Sequence, residues 1–328
     1  MSDPKLPPPD PRLGELGEVG GDLSTAVLDQ RGGVTAPADL SAPRTLWQDA
    51  WYDLRRSKIF WLSAFLLFWV ALMVVFPGLL ADRKMTDSLY GGCTLSDSLL
   101  PPSSEHWFGT DQLGCDVYAM SVFGARPSVA VGVITTVLVT LLGGAIGLLA
   151  GYYGGWVDGV LSRITDIFFA LPLIVVGIAA LSVVALPGIW GVVMVMSILG
   201  WVTIARMVRG QTIEAKAQDY TTAARALGAS DLRIMFRHIL PNTAGPVVIL
   251  AVLGLGAFIA TEATFSFLGV GIRPPAFSWG TIVAESQAVF FQAPWTLLFP
   301  ALFLSLTILA FMLLGEAVSE ALDPKLRR

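Results

Sequence analysis

Long runs without a charged residue alternate with short charged stretches along this chain, and the runs have the length of membrane crossings. Ile59 to Ala81 is uncharged for 23 residues, enough for one bilayer crossing. Pro127 to Val157 holds a second span. Ile167 to Ala205 has no charge over 39 residues, with Pro187-Gly188 near its centre, which predicts a hairpin of two spans. Thr243 to Thr261 gives a fifth, and Ser286 to Gly315 a sixth, with Pro294-Trp295 and Pro300 marking where an interfacial stretch becomes the span. The pattern predicts an all-α integral membrane protein with six transmembrane helices. Ahead of the first span, Leu46, Trp47, Trp51 and Leu54 are followed by Arg55, Arg56 and Lys58, the pattern of an interfacial helix. Residues 1–45 are rich in Pro, Gly and polar residues with no apolar period, so they are expected to form a disordered tail.

Composition agrees with a membrane protein. The 328 residues are 54% hydrophobic and 14% charged, against roughly a quarter charged in a soluble domain. The net charge of −4 matters less than where the basic residues lie. With a cytoplasmic N-terminus, 17 of the 21 Lys and Arg fall on the inner side, and Arg83, Lys84, Arg126 and Arg273 fall outside. Both termini are therefore expected in the cytoplasm, and residues 82–126 form an extracytoplasmic segment. Residues 46–81 hold the interfacial helix and span 1. Residues 127–328 form a core with spans 2 to 6 and a cytoplasmic loop over 209–242.

That loop is the most polar part of the core. From Glu214 to Asn242 it reads EAKAQDYTTAARALGASDLRIMFRHILPN. Alanines and Leu227 favour helix and Gly228 supplies a break. Ser230 is placed to cap a second short helix, which Pro241 is expected to end. Tyr220, Ala224 and Leu227 fall at i, i+4 and i+7, an apolar ridge of the kind that seats in a groove. Asp219, Arg225 and Arg233 are candidate rim charges.

Thr222-Ala223-Ala224, then Gly228, then His238-Ile239-Leu240-Pro241 reproduce the spacing of a known loop. It resembles the EAA loop of permease subunits of ATP-binding-cassette importers, whose pattern is Glu-Ala-Ala, three residues, Gly, then nine residues before Ile-x-Leu-Pro. Thr222 replaces the Glu and His238 the Ile. His238-Ile239-Leu240-Pro241-Asn242 is similar to the version in the dipeptide, oligopeptide and nickel branch. His106-Trp107-Phe108-Gly109-Thr110-Asp111, Gly114-Cys115-Asp116 and Gly124-Ala125-Arg126 resemble the second permease of that branch, with Cys115 at the family's Arg. Gly154-Gly155-Trp156-Val157-Asp158, Ser266-Phe267-Leu268-Gly269, Pro294-Trp295 and the tail Ala321 to Arg327 continue the match, which covers roughly residues 55 to 328.

The resemblance implies a type I importer permease fold in the bacterial plasma (inner) membrane. It also implies half of a translocation pathway for di- or oligopeptides, with nickel or another small solute as the alternative. The implied partners are a homologous permease, two ATPase subunits or one fused ATPase, an extracytoplasmic substrate-binding protein and membrane lipid, not nucleic acid. ATP and Mg would be bound by the ATPase subunits, with no cofactor in this chain. Glu214, Asp219, Tyr220, Ala223, Ala224, Arg225, Leu227, Gly228, Arg233, His238 and Pro241 are the residues expected to couple to the ATPase.

The chain shows no Gly-Lys-Ser/Thr phosphate loop, no Gly-x-Ser-x-Gly and no HExxH, so no catalytic motif is visible. A proton-coupled secondary transporter would need ionisable residues near mid-membrane, and the runs supply almost none. Counting ~1.5 Å per residue from Thr243 places Glu262 near the outer interface, where it is a pathway candidate against a plain interfacial residue. Arg163 and Asp166, three apart with Asp158 just before, are placed to pair. Gly143, Gly147 and Gly151 have the spacing of close helix packing. Cys93 and Cys115 are the only cysteines. They lie in the segment assigned outside, where oxidation is permitted, and are expected to form a disulfide rather than stay free thiols. Neither lies in a Cys/His cluster, so no metal site is expected.

Overall fold

The computed structural model describes residues 46–86, 93–184, 186, 188–273 and 276–322. The expected tail over 1–45, Pro187 of the expected hairpin, and the terminal motif from Asp323 onward lie outside the described residues, as do the side chains of Leu46 and Trp47. Of the unit Met1–Asp49 only residues 46–49 are described, as helix, and the rest of the architecture belongs to the unit Ala50–Arg328. The described residues are helical, and their only β pairing is an antiparallel bridge between Thr110 and Asp116.

Helix α1 (Leu46–Arg56) gives way at Ser57, whose hydroxyl accepts a hydrogen bond from the Phe60 N–H at 3.4 Å and caps α2 (Lys58–Val75). Ala50 and Leu54 are buried against Ala321, so the inner stripe of this interfacial helix is covered by protein. On α2 the large side chains Trp61, Phe65, Phe68 and Trp69 stay exposed, as a lipid-facing helix requires.

Helix α3 (Val117–Tyr153) is the axis of the bundle and contacts α2 and every later long helix. It has 37 residues, about 55 Å at 1.5 Å per residue, and starts ten residues before the uncharged run does. The reason is Arg126. Its guanidinium reaches the carbonyls of Val74 and Val75 at 2.9 and 3.2 Å, where it satisfies the end of α2 and leaves α3 unbroken. Asp116 caps α3 by accepting from the Ala119 N–H at 2.7 Å, and Gly154, at φ +66°, ends it.

The expected hairpin over 167–205 takes a different form. Helix α4 (Gly155–Ala170) and α5 (Leu173–Val183) are bent by 87° to each other and have the length and composition of a span only when taken together. With 11 residues, α5 is too short to cross alone. The bend follows from Pro172, which drives Leu171 out of the helical region to φ −81°, ψ 121°. After the turn at Gly188, α6 (Trp190–Gly200) and α7 (Val202–Lys216) run on as one span of 27 residues, past the predicted limit at Ala205. Glycines set the α3–α7 contact. A Cβ at Gly143, Gly147 or Gly151 would stand 2.6, 2.4 or 2.7 Å from Trp201 O, Ala205 O or Thr212 Cβ, so the close-packing spacing read from sequence is used as such.

Helix α8 (Asp219–Ala226) follows, then a helical stretch from Asp231 that continues without a stop into α9 (Leu240–Phe267). Pro241 thus lies in the first turn of a span and does not end a helix. Residues Met235–Ile239 adopt a wider π turn, which gives the proline ring the room that an α turn denies it. Helix α10 (Trp279–Ser286) folds over the far end of α9, and α11 (Trp295–Leu322) packs on α2, α9 and α10. Pro294-Trp295 marks the start of the last span as expected, whereas Pro300 lies inside it. The bundle thus has a loop end, carrying residues 217–239, and a cap end, carrying residues 93–116 and α10.

Candidate functional site

The loop end is built on a helix turn of defined geometry. Helix α8 closes with Gly228 N–H on Arg225 O at 3.0 Å and Ala229 N–H on Ala224 O at 3.1 Å, the paired bonds of a Schellman turn. Gly228 has φ +80° and nothing within 4 Å of a Cβ added there. Backbone conformation, not space, requires the glycine. A left-handed non-glycine residue costs about 1–2 kcal/mol, while Asn tolerates that region. Gly228→Leu should therefore speed amide exchange across the turn and the end of α8 by about tenfold, and Gly228→Asn should change it much less. Equal exchange in Gly228→Leu and wild type would remove the left-handed turn as the reason for the glycine.

The turn sorts the predicted ridge into two sides. Ala224 faces the body and packs with Ile234, Met235 and Ile239, because the C-terminal bonds pull Ala224 and Ala229 together. Tyr220 and Leu227 face out, Leu227 at 89% exposure, and Leu232 and Phe236 join them. The i, i+4, i+7 ridge is thus not one face, and the exposed apolar set is Tyr220, Leu227, Leu232 and Phe236. Glu214, Asp219, Ala223, Arg225 and Arg233 are exposed around it. His238 is half-buried, its carbonyl accepting from the Asn242 side chain at 2.7 Å, and Pro241 is exposed. Ser230 takes the cap position of the next helix, but its hydroxyl makes no capping bond. Thr222 is exposed and bonds only back to Gln218 O, at 3.4 Å.

Tyr152, at the end of α3, ties the loop to the bundle. Its hydroxyl donates to Asp231 at 2.5 Å, Arg225 reaches the same oxygen at 3.4 Å, and Lys216 bonds its carbonyl. Inside the loop the buried Thr221 hydroxyl donates to Ala215 O at 2.8 Å. Sequence reading missed Tyr152 because it sits within an uncharged run. Its position beside Gly154-Gly155, where α3 must stop, was the available signal.

Beside this anchor, Arg209 of α7 grips Asp158 of α4 through Nε and Nη2 at 2.5 and 2.7 Å, and Arg206 grips Asp166 at 2.8 Å. The expected Arg163–Asp166 pair exists at 4.0 Å on the exposed surface. Both acids thus find their closer partners across the helix interface.

Glu262 lies near the end of α9, as the residue count predicts, but it is fully buried because α10 covers it. Oε1 accepts from Ser266 at 2.7 Å, while Oε2 has no partner among the described residues. The Ser266 hydroxyl in turn accepts from Ile272 N–H at 3.1 Å, and Ser128 of α3 accepts from Trp279 N–H at 3.2 Å. Glu262 therefore sits where α9, α3 and the start of α10 meet.

At the cap end, Cys93 and Cys115 are joined by a disulfide, with Cα atoms 4.3 Å apart. Next to it, Asp111 and Glu285 line a cavity of about 360 Å³. Burial raises the Glu285 carboxyl above its ordinary range, with the Asp111 charge adding to it. Burial also raises Asp111, against the pull of N–H donors from Cys115 and Leu113. Carboxyls raised in the folded state favour the fold most below their unfolded pKa, and that stability is lost as pH rises through the folded values. Amide exchange in α10, corrected for intrinsic rates, should therefore be slower at pH 5 than at pH 8. Glu285→Gln should flatten the difference, and an unchanged pH dependence in that variant would exclude the pair as its source.

A helical bundle with five helices long and apolar enough to cross a membrane and one sharply bent pair, carrying a structured polar loop at one end, has the architecture of a membrane permease. Residues 143–328 match the family described as binding-protein-dependent transport system inner membrane component, and residues 45–102 match the N-terminal TM domain of oligopeptide transport permease C. The chain belongs to this family of inner-membrane permease subunits. It is 38% identical to the dipeptide transport system permease protein DppC of Bacillus subtilis (strain 168), over 86% of each chain. It is 36% identical to the oligopeptide transport system permease protein OppC of the same strain, over 87% of this chain and 91% of the other. A glutathione transport system permease protein, GsiD of Pectobacterium atrosepticum, is 41% identical over 69% and 75% of the two chains. The fold is shared with the MetNI methionine ABC transporter in an inward-facing conformation, with a TM-score of 0.51 and 19% identity over 62% of this chain and 95% of that one.

Proposed function

We propose that this chain is one of two transmembrane permease subunits of an ATP-driven importer for small peptides, with the loop end facing the cytoplasm and docking an ATPase subunit. The observation that carries the substrate class is the set of relatives named as dipeptide, oligopeptide and glutathione permeases, which match over most of the chain. In this reading a homologous permease completes the pathway and an extracytoplasmic binding protein delivers substrate. ATP and Mg are bound by the ATPase subunits, because this chain shows no phosphate-binding loop. The excess of basic residues on the loop side supports a cytoplasmic placement. Tyr220, Leu227, Leu232 and Phe236 form the docking patch, and Asp219, Arg225 and Arg233 its rim. Glu262 is a pathway-end residue that holds the cap end together.

The test is uptake by vesicles containing the purified permease pair with its ATPases and binding protein. Labelled dipeptide, longer peptide and glutathione are offered with ATP, and with a non-hydrolysable analogue. ATP-dependent accumulation of at least one peptide is expected. Accumulation of none, with nickel or another solute transported instead, would reject the substrate class. Accumulation driven by a proton gradient without ATP would reject the mechanism.

A further inference from the structure

Helix α4 is held to the bundle in an unusual way. Of its 16 residues only Thr165 is fully buried, and a stripe through Trp156, Val160, Ile164 and Ile167 is exposed. Within this chain, polar contacts therefore carry a large share of what holds α4 to the bundle. It begins at Gly154 and Gly155, with φ +66° and +53° and open space around a Cβ added at either. Backbone conformation, not crowding, therefore selects the glycines, as at a hinge. It ends at the 87° bend into α5. A cavity of about 410 Å³, lined by Gly147 of α3, Ser162 and Thr165 of α4 and Ala205 of α7, lies among the three helices. Two ion pairs, Asp158–Arg209 and Asp166–Arg206, bridge α4 to α7, and the Arg206 guanidinium also lies 3.8 Å from the centre of the Phe169 ring.

Helix α7 is also the helix that runs into the loop. Arg209 stands two turns before Lys216, about 10 Å along the axis, and Lys216 is tied to Tyr152. At its other end α4 leads through α5 to the interior, where Leu181 packs with Val192 and Val193 of α6 and Gly177 meets Phe265 of α9. A movement of α7 therefore reaches α4 through side-chain clasps, in addition to the packing of α5 on α6.

We propose that α4 is a hinged arm that transmits movement of the 217–239 loop to the interior of the bundle, with Asp158 and Arg209 as positioning residues that clasp the arm to α7. The inference rests on the importer reading above. Closure of an ATPase pair can bias the permease only through contacts that differ between its states, and this clasp, the closer and less exposed of the two ion pairs, is a contact that makes α4 follow α7. The glycine-glycine-x-x-Asp motif is thereby explained as a hinge followed, one turn later, by the acid that fastens it.

The experiment measures peptide taken up per ATP hydrolysed by the reconstituted complex, scored on complexes that co-purify intact. Wild-type failure to couple uptake to ATP would end the importer reading itself. Given a coupled wild type, Asp158→Asn and Arg209→Gln should each lower the ratio about tenfold. The exchange Asp158→Arg with Arg209→Asp should recover at least a third of it, which a merely destabilised helix would not show. In a second arm, Asp158→Cys with Arg209→Cys should be uncoupled as free thiols and recoupled when a short bifunctional maleimide bridges them. Full coupling in the single variants, or no gain from either the exchange or the bridge, would overturn the proposal.

Discussion

Leu227→Asp should leave the permease folded and stop ATP-driven uptake. Leu227 is 89% exposed at the end of α8 and its side chain supports no core cluster, so a polar replacement costs the isolated subunit at most about 0.5 kcal/mol. The opposite holds if the residue is seated in a groove of the ATPase. A carboxylate forced into an apolar pocket without a partner loses the burial of the leucine and adds a desolvation cost. Central interface positions of this kind lose 2 kcal/mol or more, about thirtyfold in affinity. Phe236→Asp should behave alike, because Phe236 is exposed on the same loop. The measurement is co-purification of the ATPase subunits with the tagged permease, followed by uptake. Retained ATPase and normal uptake in both variants would move the docking site elsewhere. Lost ATPase together with a normal thermal unfolding profile of the permease alone is the result expected.

The spans were legible from sequence because hydrocarbon excludes charge, and five helices are long and apolar enough to cross, with α4 and α5 making the sixth when the bent pair is taken together. Their limits were less legible, because a charge ends an uncharged run without ending a helix. Arg126 caps α2 from within α3, and Arg206 and Arg209 extend α7 by pairing with Asp166 and Asp158 on α4. Each pairing is between residues far apart in the chain, which a linear reading cannot see. Pro241 was misjudged for a related reason. A proline stops an α-helix by clashing with the preceding turn, and the π turn at Met235–Ile239 removes that clash. The ridge over Tyr220, Ala224 and Leu227 failed because helical spacing holds only within a helix, and Leu227 already stands at the cap of α8. The broken span was missed although Pro172 was visible, since the length of the run favoured two straight helices. Tyr152 is one more aromatic residue in an apolar run, and only its place beside Gly154-Gly155, where α3 stops, sets it apart.

Replacing both Cys93 and Cys115 by serine should open the cap. The segment from Cys93 to Cys115 has little apolar core, drawing on Met120, Ile282 and the partly buried Phe277 around the disulfide itself. What else orders it is the Phe108 ring, stacked on Phe299 of α11 at 4.0 Å, and a set of hydrogen bonds, among them Leu99 N–H to Asp111 O at 3.0 Å and Asp111 N–H to Cys115 O at 2.9 Å. Such bonds contribute only about 0.5–1.5 kcal/mol each, since water replaces them on opening. Closing a loop with a sequence separation of 22 contributes roughly 3 kcal/mol by restricting the open state. The bond is thus comparable with several of the others together. Its loss should speed amide exchange between residues 94 and 116 by about a hundredfold, while exchange in α3 beyond the cap stays as it was. The cap also positions α3 and α10. Asp116 begins α3 and bonds His106 at 2.9 Å, and the Gln112 side chain donates to Glu285 O of α10 at 3.0 Å. Loosening should therefore spread to α10 before it reaches the spans. Exchange unchanged throughout 94–116 in the double serine variant would show that the Phe108 stack and the hydrogen-bond network hold the cap without the disulfide. Exchange raised equally in the cap and in α3 would show that the disulfide stabilises the bundle and not a local element.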